Sequence, residues 1–111
     1  MKFKPTILET PYAGDVAANV EFAQKCMHDM IMRGEAPYAS HLLYTQPNVL
    51  DDNDPDEHNA GIMAGFAFKH MEGVHTVAYM DKGMSRGMQM AKDYCIQHRM
   101  SWEERFLATK S

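Results

Sequence analysis

Short apolar runs alternate with amphipathic helical segments along this 111-residue chain, and glycine, proline and aspartate separate them sharply. That alternation leaves few folds open. Thr6–Glu9 reads as a buried strand. Residues 16–32 place Val16, Val20, Ala23, Met27, Met30 and Ile31 at helical spacing on one face, and Arg33-Gly34 ends the segment with glycine in its usual C-terminal role. Ala36–Leu43 reads as a second strand that ends near His41. After a polar loop over 44–53, Asp54 can cap a helix, Pro55 suits its first position, and Glu57 can reach back as in a capping box. This helix is expected to run to about Met71 and stop at Gly73. Val74–Met80 reads as a third strand. Ser85 can cap a helix over Arg86–His98 with Met88, Ala91 and Cys95 inward, and Trp102–Leu107 reads as a last strand.

The order β-α-β-α-β-α-β predicts an α/β fold: one Rossmann-like three-layer sandwich spanning residues 1–111, with helices on both faces of a four-stranded parallel sheet. Right-handed crossovers give strand order 2-1-3-4 in the simplest topology. Ligands of such sheets bind at the C-terminal strand ends where the winding reverses, here between the first and third strands. The loops Pro11–Asp15 and Asp81–Gly87 are therefore expected to flank the site.

A formal net charge of −4 argues against a partner that is a nucleic-acid polymer. No window reaches the eighteen apolar residues of a membrane span, and Met-Lys-Phe-Lys-Pro at the start has no apolar signal core, so a cytoplasmic protein without a membrane partner is expected. Cys26 and Cys95 fall in predicted helices with no CxxC or Cys/His spacing, which reads as small buried hydrophobes, with no metal expected. Met27, Met30, Met63, Met71, Met88 and Met90 lie at helical positions and read as core filling.

In the first loop, Pro11 sets the turn. Gly14 would let a ligand approach the backbone, Tyr12 offers an aromatic face and a hydroxyl, and Asp15 or Asn19 could bond a sugar hydroxyl. In the second, Gly83, Ser85 and Gly87 stand at the N-terminus of the Arg86–His98 helix, with Met88 in its first turn, which suits an anion, and Lys82 and Arg86 add positive charge. His41 and Tyr44 follow the second strand as further ligand contacts. A carboxylate beside an anomeric carbon is what N-glycosidic chemistry needs. Glu9 and Asp81 end strands, and Glu57 lies in the acidic run of residues 51–57.

Five segments together resemble the nucleoside 2-deoxyribosyltransferase-like superfamily. They are Leu8-Glu9-Thr10-Pro11-Tyr12-Ala13-Gly14, Asn19 in the next helix, Gly34 with Ala39-Ser40-His41-Leu42, Gly61-Ile62-Met63-Ala64-Gly65-Phe66-Ala67, and Asp81, Gly83, Ser85 and Gly87-Met88. The likeness runs from about residue 6 to 107 and is nearest to a small, uncharacterised bacterial and phage branch. It implies a nucleoside or nucleotide pocket, reaction at the N-glycosidic carbon without a cofactor, and homodimers or larger assemblies. In the transferases a nucleophilic glutamate stands two residues before the second glycine of the second-helix motif, the position of Met63. A thioether forms no glycosyl intermediate that water resolves. The expectation is a protein that binds a nucleoside- or nucleotide-like ligand without standard turnover. The alternatives are an N-glycosidic enzyme that uses Glu9 first or Glu57 second, and a non-enzymatic interaction domain.

Overall fold

The computed structural model describes residues 2–107. Its strands are β1 (Lys4–Glu9), β2 (Glu35–Tyr38), β3 (His75–Tyr79) and β4 (Trp102–Arg105), all parallel in the order β2-β1-β3-β4. Ile7 stands opposite both Tyr38 and Thr76, Glu9 opposite Ala78, and Tyr79 opposite Arg105. Thr6, Ile7 and Leu8 are buried in succession, as befits a central strand covered on both sides.

Helix α1 (Val16–Met32) covers one face: Ala23, Cys26 and Met30 pack on Leu8, Val77 and Tyr79. The other face lies under α3 (Pro55–Ala67), a 3-10 turn over Phe68–His70, and α4 (Arg86–Gln97), whose Cys95 Sγ lies 4.0 Å from Thr76 Oγ1. This is the doubly wound arrangement expected from the alternation. Asp15 and Ser85 cap α1 and α4, accepting from Ala18 N and Met88 N. The two edge strands are tied together by Arg105, which donates to both Glu35 oxygens at 2.8 and 3.0 Å and to Glu103 at 2.9 Å. Among the described residues, no helix is long and apolar enough to cross a membrane.

Five local expectations are corrected. The run 36–43 is not one strand. β2 stops at Tyr38, and Ser40–Leu43 forms a single helical turn, α2. A short apolar run has no periodicity that separates the two states; here Ser40 seats against Gly65 of α3 and Leu42 against the core. The buried stripe of α1 is Asn19, Ala23, Cys26, Asp29 and Met30, whereas Val16 and Ile31 are exposed. Two polar residues sit inside because their hydrogen bonds are made there: Asp29 Oδ2 accepts from Tyr79 Oη at 2.6 Å and from Arg33 Nε at 2.9 Å. Helix α3 ends at Ala67 and tightens to 3-10 geometry before the turn at Gly73, and β4 ends at Arg105 because Leu107 N turns to Asp81 Oδ1. Met30 and Met88 fill the core, but Met63, Met71 and Met90 are exposed.

Candidate functional site

At the C-terminal end of the sheet, the chain leaving β1 turns toward α1 and the chain leaving β3 turns toward α4. The gap between them opens into a cleft of about 410 Å³. Glu9, Thr10 and Tyr12 form the β1 wall, and Ser40, His41 and Tyr44 come from α2 and the residue after it. Helix α3 contributes Glu57, His58, Gly61, Ile62 and Phe66, and the first turn of α4 adds Arg86, Gly87 and Met88 with its cap Ser85.

Glu9 lies at the end of the central strand. Its Oε2 accepts from Lys69 Nζ at 2.9 Å, and Lys69 is 4% exposed. The same ammonium lies 3.5 Å from Thr76 Oγ1 and 5.6 Å from the centre of the Phe66 ring. Burial pushes the Glu9 carboxyl above its ordinary range, and the charge and hydrogen bond of Lys69 oppose that rise. One carboxylate oxygen is thus engaged from below while the residue still borders the cleft.

His41 Nε2 pairs with Thr10 Oγ1 at 2.7 Å, and its ring meets Tyr12 edge-on at 6.4 Å. Burial lowers its pKa to about 4, so the imidazole is neutral at physiological pH and presents an uncharged hydrogen-bonding edge. Tyr38 donates its hydroxyl to Tyr44 Oη at 2.7 Å, which leaves the Tyr44 proton available to another acceptor. On the α3 side, Asp54 caps through Asp56 N as expected, but Glu57 does not close a box on Asp54. Its Oε1 accepts from Asp51 N at 2.8 Å, and His58 Nδ1 pairs with Asp52 Oδ1 at 2.7 Å. These bonds fold the acidic loop onto the mouth of the cleft.

Of the residues singled out in the sequence, Glu9, Tyr12, His41, Tyr44, Glu57, Ser85, Gly87 and Met88 line the cleft. Six others do not. Pro11 is buried behind the wall. Gly14 is exposed with φ +97°, so glycine serves the backbone turn there rather than a ligand's approach. Asp15 is spent on the α1 cap. Asn19 is buried: its Nδ2 donates to Tyr12 O and Ala13 O, both at 3.0 Å, and its Oδ1 accepts from Lys82 Nζ at 3.0 Å. It thereby ties the loop after β1 to the loop after β3. Asp81 holds Leu107 N, and Gly83, at φ +83°, turns the chain with its N–H on Met80 O. Met63 is 59% exposed on the opposite side of α3 and does not border the cleft. Sequence reasoning missed Lys69, Ser40, Ile62 and Phe66; a lysine in a predicted helix reads as solvated, and nothing local marks this one as buried. Among the described residues, no three His, Cys, Asp or Glu side chains converge as a metal site.

These features define a class: a doubly wound α/β domain with a cleft of small-molecule size at its topological switch point. The model of a family described as a domain of unknown function (DUF7768) matches residues 4–105, and the chain belongs to that family. No match was found among curated proteins or solved structures.

Proposed function

We propose that the cleft binds a nucleoside- or nucleotide-like small molecule and does not carry out standard deoxyribosyl transfer. The observation that carries this reading is the mixed chemistry of the cleft lining. Arg86 and the first turn of α4 border the cleft and suit an anionic group, while Glu9 and the Tyr12–His41 pair, in the same lining, suit a sugar hydroxyl and the face of a base. A volume of about 410 Å³ fits such a ligand. The five-segment resemblance described above points the same way. The residue at the nucleophile position of that resemblance, Met63, faces away from the cleft, and Glu9 is committed to Lys69. We place the activity in the cytoplasm, where buried free thiols such as Cys26 and Cys95 stay reduced.

A second reading is cleavage or transfer at an N-glycosidic bond. It is favoured by the position of Glu9 at the cleft wall with its carboxyl held above the ordinary range, and Glu57 is the next carboxylate along the wall. Incubation of the pure protein with nucleosides, nucleotides and cyclic nucleotides separates the two. A thermal shift with intact ligand supports binding. Free base on chromatography, lost in Glu9→Gln, supports the enzyme. Neither signal across the panel turns the assignment toward an interaction domain.

A further inference from the structure

We infer that His70, Tyr94 and His98 together bind one late first-row divalent metal ion, whatever the cleft binds. The three side chains meet where the 3-10 turn comes against the C-terminal end of α4, and none of them lines the cleft. His70 ends the turn, and its Nε2 pairs with Tyr94 Oη. Tyr94 and His98 stand one helical turn apart, with ring centres 4.2 Å from each other. The two imidazole centres are 5.5 Å apart, which closes the triangle. Both imidazoles are exposed and Tyr94 is half-buried. Among the described residues, this is the one place where two imidazole rings come so close.

Two imidazoles on one tetrahedral ion, with metal–nitrogen bonds of about 2.1 Å, hold their ring centres about 5 Å apart. The separation of His70 and His98 needs little adjustment to reach that value. Other histidines have their nitrogens committed: His41 to Thr10, His58 to Asp52, and His75 to Ser101 and Glu103. The His98 ring makes aromatic contacts but no hydrogen bond among the described residues, so its lone pair is free for a cation. The third donor is Tyr94 Oη. An ion there takes the place of the proton shared with His70 Nε2, and that proton passes to solvent as the metal–oxygen bond forms. Two imidazoles and a phenolate suit Cu²⁺ first and Ni²⁺ or Zn²⁺ next, whereas calcium and magnesium prefer oxygen alone. A bound ion would clamp the turn that carries Lys69, the partner of Glu9, to the end of α4.

Titration calorimetry of the full chain with Cu²⁺ and with Zn²⁺, in a buffer that does not chelate them, tests this. The expected result is one ion per chain, held more tightly for Cu²⁺ than for Zn²⁺, with a phenolate-to-copper charge-transfer band in the visible and a melting temperature several degrees higher at saturation. His70→Asn, His98→Asn and Tyr94→Phe should each weaken binding at least about tenfold, with the fold kept by far-UV circular dichroism, and Tyr94→Phe should also lose the band. His75→Asn should bind as the wild type does. Substoichiometric Cu²⁺ should broaden the ring-carbon NMR signals of His70 and His98 before those of the other four histidines, which reads the site without any variant. No one-to-one binding at millimolar ion overturns the inference. So does wild-type affinity in any of the three folded variants, or broadening that begins at another histidine.

Discussion

Lys69 Nζ lies 2.9 Å from Glu9 Oε2, joining two residues 60 positions apart beneath the wall of the cleft. Neither partner is well placed alone. Lys69 is 4% exposed, and burial already raises the Glu9 carboxyl despite the ammonium beside it. Removing one charge from such a pair strands the other.

Lys69→Met is therefore expected to destabilise the protein by about 3–5 kcal/mol near neutral pH. The loss should shrink in acid. A carboxyl whose folded pKa is raised favours the folded state below its ordinary range and loses that contribution as pH rises through the raised value. Without Lys69 the value rises further, so the variant should be closest to wild type in acid, below the ordinary carboxyl value, and should fall further behind as pH rises above it. Denaturant melts at several pH values check this; an equal loss at every pH would show that the Glu9 charge is not what Lys69 supports.

His41 should remain neutral in the folded protein down to about pH 4, against 6.5 for the free side chain. Between those values the unfolded chain takes up a proton that the buried ring refuses. Stability therefore rises with pH across that window, is complete above it, and is lost as pH falls through about 4. NMR titration of the ring carbons reads the value directly. His41→Gln keeps a partner for Thr10 and should flatten the dependence in the same window.

Gly87 and Gly14 should separate binding from folding. A side chain at Gly87 meets no atom within 4 Å and would project into the cleft, so Gly87→Val is expected to keep the melting temperature and weaken ligand binding at least about tenfold. Gly14→Ala should do the reverse. A positive φ makes it lose about 1 kcal/mol of stability, while a position off the cleft leaves affinity unchanged. Calorimetric unfolding, with binding of whichever ligand the panel identifies, measures both effects.

Gly65→Ala is expected to cost about 1–3 kcal/mol. A Cβ there would stand 2.5 Å from Ser40 Oγ and 2.9 Å from Ser40 Cβ, forcing α2 away from α3. Gly65→Ala with Ser40→Gly should recover most of the loss if that contact is the cause, and equilibrium unfolding of the single and double variants gives the comparison.

The turns and periods of the chain made its skeleton legible. Gly34 and Gly73 adopt the positive φ that stops an element, Asp15, Asp54 and Ser85 cap where helices begin, and β1 and β3 have the composition of buried strands. Handedness left few strand orders, and the simplest of them, 2-1-3-4, is the one in the sheet. The place of the cleft followed from strand order, which is why most of the lining named from sequence is lining in the structure. The failures share one cause. Asn19 read as a ligand contact because a polar residue beside such a loop often is one, yet it is buried, bonded to Tyr12 and Ala13 nearby and to Lys82 from 63 positions away, and Asp29, which no local signal marked, is held inside by Tyr79.

What the sequence determined by itself was local: where the long helices begin, which elements alternate, and hence the doubly wound parallel sheet. These are properties of neighbouring φ and ψ angles, caps and periods, and they are written within a few residues of where they act. Only the tertiary structure decided which charges are paired. It drew Lys69 under Glu9, turned Met63 outward, made Ser40–Leu43 a helical turn, and gave Asn19 to two loops rather than to a ligand. Each outcome depends on a group brought in from tens of residues away, and desolvation and pairing energies do not exist until that group arrives.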